Sequence, residues 1–212
     1  MTGRLITLDG PGGIGKSTTH AALAAALQAA GHTVYAATQP SANIFGQTVR
    51  ALGGEGSMRG RALALAVSAD RHYQLDTEIR PALAAGHTVV LDRYLPSTLV
   101  LQRADCVEID WILTLNEGID VPDLAVILTS DPETIHSRLE GRGTRHRFER
   151  SPDDTRRELR FYIEAVPVLE RLGFPVLTVD VGTLTPAGVA DRILTHVPAH
   201  PATVNATDHH LR

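Results

Sequence analysis

Apolar positions along the chain fall into two kinds of run. Five short stretches are apolar or β-branched without alternation: Arg4-Leu5-Ile6-Thr7-Leu8, Thr33-Val34-Tyr35-Ala36-Ala37, His87-Thr88-Val89-Val90-Leu91, Leu124-Ala125-Val126-Ile127-Leu128 and Phe174-Pro175-Val176-Leu177-Thr178-Val179. Continuous runs of this length predict strands buried on both faces. Between them lie stretches of helical composition, over 18–30 (stopped by Gly31), 43–52, 58–85 (closed by Gly86), 95–103 and 108–115. Pro81 predicts a kink or a new turn in the long 58–85 helix. The stretch Gly53-Gly54-Glu55-Gly56-Ser57 reads as a flexible loop. Three more helices open with a capping residue followed by proline, at Asp131-Pro132, Ser151-Pro152 and Thr185-Pro186. In the second of these, Leu159, Ile163, Val166, Leu169 and Leu172 are spaced for one buried face.

Strands alternating with helices predict an α/β fold, a parallel sheet covered by helices on both faces. Ligands in such sheets gather at the C-terminal ends of the strands. The first such end carries Gly10-Pro11-Gly12-Gly13-Ile14-Gly15-Lys16-Ser17, which fits the phosphate-loop pattern G-x-x-x-x-G-K-[ST] between a strand and a helix. Glycines let backbone N–H groups curl around an anion, and the helix N-terminus adds partial positive charge. Gly10, Gly12, Gly13, Ile14, Gly15, Lys16, Ser17 and Thr18 are therefore the candidate binding set for the phosphates of a nucleotide. Lys16 can reach the outer phosphates, and the Ser17 hydroxyl can ligate Mg²⁺.

A second signal is Asp92-Arg93, at the end of the third strand. The carboxylate can hold Mg²⁺ with Ser17, and the guanidinium fork can grip a phosphate. Asp70-Arg71, in the long helix, reads either as a solvated surface pair or as part of the cleft. A third signal is the arginine-rich segment with Arg138, Arg142, Arg145, Arg147 and Arg150, broken by Gly141 and Gly143. It suits a basic lid over transferring phosphate charge, and a solvated charge run is the other reading.

The chain has 212 residues, 43% hydrophobic, enough for one domain with a sizeable core. We expect that domain over residues 1–197, with the lid at about 141–151 and a disordered tail over 198–212. His200, His209 and His210 lie in the tail, without acidic or cysteine partners for a metal. Net charge is −4 and pI about 6.2, which argues against a nucleic-acid partner. Cys106 stands alone, which excludes an intrachain disulfide and suggests a reduced, cytoplasmic protein. No apolar run is long enough to span a bilayer, so no membrane partner is expected.

The ordered motifs resemble the thymidylate kinase family of nucleoside monophosphate kinases, over about residues 3–195. They are Gly10 to Ser17 with Thr18 and Thr19; Ala69-Asp70-Arg71; the run from Gly86 to Asp92-Arg93-Tyr94, followed by Ser97 and Gln102; Pro122-Asp123-Leu124 leading to Asp131-Pro132-Glu133; and Arg138, Arg142 and Phe148-Glu149. The resemblance implies a three-layer phosphate-loop kinase fold with a five-stranded parallel sheet, and a homodimer. It implies phosphoryl transfer from ATP, with Mg²⁺, to a pyrimidine deoxynucleoside monophosphate, dTMP first. Lys16, Arg93, Arg142, Arg145 and Arg147 would be catalytic. The acceptor would meet Gln39, Arg50, Val67, Arg71, Arg93, Ser97 and Gln102, with the metal on Ser17 and Asp92. Family members carry a catalytic arginine either in the phosphate loop or in the lid; Gly13 here points to the lid. Four positions depart from the family pattern, all on the acceptor side. Gly12 stands where a carboxylate near the acceptor's sugar and phosphate is usual, Val67 where an aromatic stacks on the base, Leu101 where a tyrosine is common, and Gln39-Pro40 where the family has another turn. These departures leave open a modified pyrimidine nucleotide or another small phosphate acceptor in specialised metabolism; a third reading is a nucleotide-binding protein without catalysis, against which intact Lys16, Ser17, Asp92 and Arg93 argue.

Overall fold

In the computed structural model, residues 3–140 and 151–198 are described. Five strands, β1 (Arg4–Asp9), β2 (Val34–Thr38), β3 (Thr88–Asp92), β4 (Leu124–Thr129) and β5 (Val176–Asp180), form one parallel sheet in the order β2-β3-β1-β4-β5. Every residue of β1 and β3 is buried, whereas β2 and β5, at the edges, are partly open. The unalternating runs are explained by two cores. Leu5, Val89, Leu91, Ala125 and Ile127 point into one, and Ile6, Leu8, Val90, Val126 and Leu128 into the other. Successive side chains alternate faces, so both faces of the central strands are apolar and both are covered.

One face is covered by α1 (Lys16–Ala29), α9 (Pro186–Leu194) and α7 (Pro132–Glu140), which supply Leu23, Leu27, Ile135, Leu139, Val189 and Ile193. The other is covered by α3 (Gly60–Gln74), α4 (Arg80–Ala84), α5 (Leu95–Ala104), α6 (Ile109–Leu115) and α8 (Pro152–Arg171). The helix α2 (Ile44–Glu55) packs on α3.

Two details differ from the sequence-based expectation, and a third, the break at Pro81, is as expected. The 53–57 stretch is not a loop throughout. Helix α2 continues to Glu55, its Gly53 packs against Leu63, and Gly56 ends it at φ 84° with its N–H on Leu52 O at 3.1 Å. The long helix is broken before Pro81 by a π-helical turn, Leu75–Ile79, where the Arg80 N–H reaches back five residues to Leu75 O. A proline ring clashes with the carbonyl four residues back, and a wider turn relieves this. The buried face of α8 is Thr155, Glu158, Leu159, Tyr162, Ala165 and Leu169, so Ile163, expected inside, is 65% exposed. Polar residues that bond across the cleft take part of the inward stripe. The expected lid residues 141–150 and the tail from 199 lie outside the described residues.

Candidate active site

The phosphate loop leaves β1 at its C-terminal end and enters α1 through Gly15, which adopts φ 98°, a conformation a side chain would strain. Lys16 is the first residue of α1 and is buried, its Nζ donating to Pro11 O at 2.7 Å. Ile14 is buried beneath the loop, and the exposed Thr18 closes it by donating from Oγ1 to Gly15 O at 2.7 Å. Desolvation, then the charge of Arg93, pulls the Lys16 ammonium down to about 7, although Glu158, Asp92 and Asp9 act in the opposite sense. A polyphosphate docking here would restore the charged form. At about pH 8 ATP binding should therefore take up close to one proton. Calorimetry in buffers of different ionisation enthalpy reads this directly, and buffer-independent heat would contradict it.

The Ser17 hydroxyl donates to Asp92 Oδ2 at 3.1 Å, and Asp92 Oδ1 is buried with no hydrogen-bond partner among the described residues. A hydroxyl and an unsatisfied carboxylate oxygen are hard donors of the kind Mg²⁺ takes together with phosphate oxygens and water. Among the described residues no cluster of three His, Cys, Asp or Glu could hold a metal by itself.

Arg93 follows Asp92 at φ 74°, with its N–H on Leu8 O at 2.9 Å. The turn is braced from β1. Asp9 Oδ1 accepts from Tyr94 N at 3.0 Å, Ser97 N at 3.0 Å and Ser97 Oγ at 2.6 Å. A carboxylate at the N-terminus of α5 satisfies orphan amides there and meets the positive end of the helix. Burial raises the pKa of Asp9 even though these hydrogen bonds favour the anion. The Ser97 hydroxyl accepts from Arg93 NH1 at 3.2 Å and lies 3.0 Å from Tyr162 Oη, which donates to Gly10 O at 2.9 Å. One continuous network thus ties the phosphate loop, the Asp-Arg turn and α8 together.

Beside it lies a cavity of about 250 Å³, lined by Pro40, Arg50, Val67, Arg93, Leu101, Gln102 and Glu158 among others. A smaller one of about 50 Å³ adjoins it, sharing Val67, Arg93, Leu101 and Gln102 and adding Gln39, Arg71 and Ser97. Arg50, exposed, donates to Pro40 O and to Thr38 Oγ1 at 3.3 Å. Desolvation and then the like charge of Arg93 lower its pKa, so two cations lie close together in the cavity lining. That part suits an anion. Val67 and Leu101 give the lining an apolar part, and the buried Gln102 has an Oε1 without a partner among the described residues.

Asp70 and Arg71 are both buried, so the solvated-pair alternative does not hold. Nor do they bond to each other in the first instance. Asp70 accepts from Ser41 N and Oγ, each at 2.6 Å. Arg71 donates to Gln39 Oε1 at 2.8 Å, to Thr98 Oγ1 at 2.6 Å and to Asn116 Oδ1. It crosses the Tyr94 ring at 5.2 Å. Gln39 is thereby engaged as well, and donates to Gln74 Oε1 at 3.2 Å. Arg71 and Gln39 form a wall fixed from four sides, and Ser97 positions Arg93.

On the far side of the phosphate loop a cavity of about 230 Å³ is lined by Gly15, Thr18, Arg138, Val181, Leu184 and Pro186 among others. It can take the non-phosphate part of a donor nucleotide. Val181 and Leu184 carry no sequence signal for this site, because a loop after an edge strand has no periodicity, and Thr185-Pro186 reads only as a helix start. Glu158, Tyr162 and Asp9 were also missed: two sit on a helix whose pattern reads as apolar, and the third ends a strand. A larger cavity, about 840 Å³, lies at the N-terminal ends of the strands around Arg4, His32 and Gly86, and none of the candidate residues lines it. Arg142, Arg145 and Arg147 are outside the described residues.

The arrangement brings Lys16, Ser17, Asp92 and Arg93 to one point between a donor-side and an acceptor-side cavity. Comparison with known proteins agrees. The thymidylate kinase family model matches residues 8–172. The chain belongs to the thymidylate kinase family. A thymidylate kinase of Clavibacter sepedonicus is 40% identical over 152 residues, 68% of this chain and 72% of that protein. A probable thymidylate kinase of Caldivirga maquilingensis is 32% identical over 160 residues, 74% and 78%. The structure of thymidylate kinase from Candida albicans superposes with a TM-score of 0.73, covering 92% of this chain and 90% of that one, at 24% identity. The last likeness supports the phosphate-loop kinase fold. As a thymidylate kinase family member the chain is a phosphotransferase. These relatives favour neither another class of phosphate acceptor nor a non-catalytic nucleotide-binding role.

Proposed function

We propose that this chain transfers the γ-phosphoryl group of ATP to dTMP, giving dTDP. The observation that carries this is the convergence of the phosphate loop with a cavity whose lining combines the cations Arg50 and Arg93 with apolar Val67 and Leu101 and with Gln102, whose Oε1 has no hydrogen-bond partner among the described residues. That combination matches a nucleoside monophosphate, with a phosphate at one end and a base at the other. The Gln102 Oε1 suits the base's N–H, and Val67 and Leu101 cover its faces. Arg71 is the rigid wall behind it, and Gln39 and Ser97 hold Arg71 and Arg93 in place.

Transfer from ATP to a phosphate brings two polyanions together, so positioning and charge compensation carry most of the acceleration. Lys16 and the loop amides hold the donor phosphates. Arg93, with Arg50, holds the acceptor phosphate in line. Arg142, Arg145 and Arg147 close over the passing group and exclude water. Mg²⁺ held by Ser17 and Asp92 with the donor phosphates would supply further positive charge there. The test is a panel of nucleoside monophosphates assayed with ATP. Efficient turnover of dTMP is expected, and a preference for any other acceptor by an order of magnitude would reject the reading.

We also infer a homodimer. Ala62, Leu65, Ala69 and Tyr73 lie at helical spacing on the outer side of α3, with Leu65 51% and Tyr73 57% exposed. An apolar stripe of this kind on an outer helix face marks an interaction site. Sedimentation should give twice the chain mass, and Leu65→Asp should shift the protein to monomer. No helix among the described residues is long and apolar enough to cross a membrane. With Cys106 a free thiol, a reducing cytoplasm is the proposed compartment.

A further inference from the structure

Gly12 has no side chain to offer the acceptor, yet its position is not without a carboxylate. Glu158, from the second turn of α8, reaches the phosphate loop and accepts from Gly12 N at 3.3 Å. It is 7% exposed on a helix face otherwise made by Thr155, Leu159, Tyr162, Ala165 and Leu169. A buried carboxylate is costly unless charges and hydrogen bonds hold it. Here it lies close enough to Lys16 and Arg93 to favour the charged form of both. It also lines the same cavity as Arg50, Arg93 and Gln102. Its position is therefore set against the loop while its surface faces the acceptor.

An ionised carboxylate only accepts hydrogen bonds and offers about four lone-pair sites. It would repel the acceptor's phosphate, which has Arg50 and Arg93 at its own end. An acceptor group that meets Glu158 is therefore a neutral donor. A deoxynucleoside 5′-monophosphate has one sugar hydroxyl, at C3′; the 5′ oxygen is esterified and C2′ has none. The base N–H already has a matching atom in Gln102 Oε1. We propose that Glu158 is a specificity-determining residue whose carboxylate accepts a hydrogen bond from the acceptor's 3′-hydroxyl, so that a helix supplies the carboxylate the phosphate loop lacks at Gly12. This rests on the acceptor being a deoxynucleoside monophosphate, as proposed above.

The test compares dTMP with 3′-deoxythymidine monophosphate, at saturating ATP, in wild type, Glu158→Ala and Glu158→Gln. A hydrogen bond to a charged group is worth roughly a factor of ten or more. Wild type should therefore prefer dTMP by at least that factor in kcat/KM. Glu158→Ala should lose about that factor more on dTMP than on the 3′-deoxy compound, which abolishes the preference; any loss through the phosphate loop falls on both acceptors alike and cancels in the ratio. Glu158→Gln keeps the size and one acceptor oxygen, so it should retain part of the preference; it also serves should the alanine variant fail to fold. Wild-type discrimination surviving in both variants would overturn the inference, as would equal losses on the two acceptors, the mark of a residue that only shapes the loop. Absence of dTMP turnover in the wild type would instead overturn the proposed function, and this inference with it.

Discussion

Lys16→Ala should lower kcat/KM by three orders of magnitude or more while the protein keeps its fold. Lys16 is the only lysine in the chain; every other cationic side chain that does not titrate near neutrality is arginine. Nothing nearby can replace it. Arg93 and Arg50 face the acceptor-side cavity, and a guanidinium is a planar fork where the loop holds a compact ammonium. Lys16→Arg should therefore fail to rescue. The size of the effect follows from burial. Lys16 is 7% exposed beneath the loop, so its charge acts on the phosphates with little screening. The fold should survive because the ammonium makes one hydrogen bond among the described residues, to Pro11 O, and its burial as a cation costs stability more than it adds. Steady-state kinetics with dTMP and ATP measure the loss, and near-normal turnover would reject the assignment of this loop. Amine acetylation gives an independent check, since Lys16 is its sole side-chain target: inactivation should follow, and ATP should prevent it.

How much of this site could be read in advance depended on the range of the interactions. The phosphate loop is local: eight consecutive residues, flanked by a strand and a helix, carry the whole signal. The five strands were legible because each is buried on both faces, which leaves unbroken apolar runs such as Leu124 to Leu128. Asp92-Arg93 was legible as a charged pair at a strand end. The parts that escaped are long-range. Glu158 meets Gly12 across 146 residues, and Asp9 caps a helix that begins 86 residues later, with bonds to Tyr94 and Ser97. On α8 the apolar spacing pointed to Ile163, but the cleft calls for polar atoms, and Glu158 and Tyr162 turn inward instead. Arg71 shows the same limit in another form. Next to Asp70 it looks like half of a surface ion pair, and only the fold reveals that Gln39, Thr98 and Asn116 converge on it.

The second large effect concerns the lid. Single alanine replacements of Arg142, Arg145 and Arg147 should identify at least one residue whose loss lowers kcat by about 10³-fold with little change in the KM for ATP, the size expected of an arginine that stabilises transferring charge. The phosphate loop cannot supply that arginine itself. A Cβ on Gly13 would lie 2.6 Å from Leu139 Cγ and 2.8 Å from its Cδ2, and the residue sits at φ 76°. Any side chain there must displace buried Leu139 and adopt a strained backbone. The same contact fixes the residue after which the proposed lid would start. Leu139, at the end of α7, packs on the loop at Gly13, and residues 141–150 follow at once. They return at Ser151, where the capping box with Asp154 fixes the start of α8, two turns before Glu158 meets Gly12. Both ends of the segment are thus anchored beside the phosphate loop, and four arginines lie between them. Gly13→Arg in a lid-arginine variant should for the same reason not restore activity. Should the three alanine variants raise only the KM for ATP, the lid binds the donor and the charge that assists transfer comes from Lys16 and Arg93 alone.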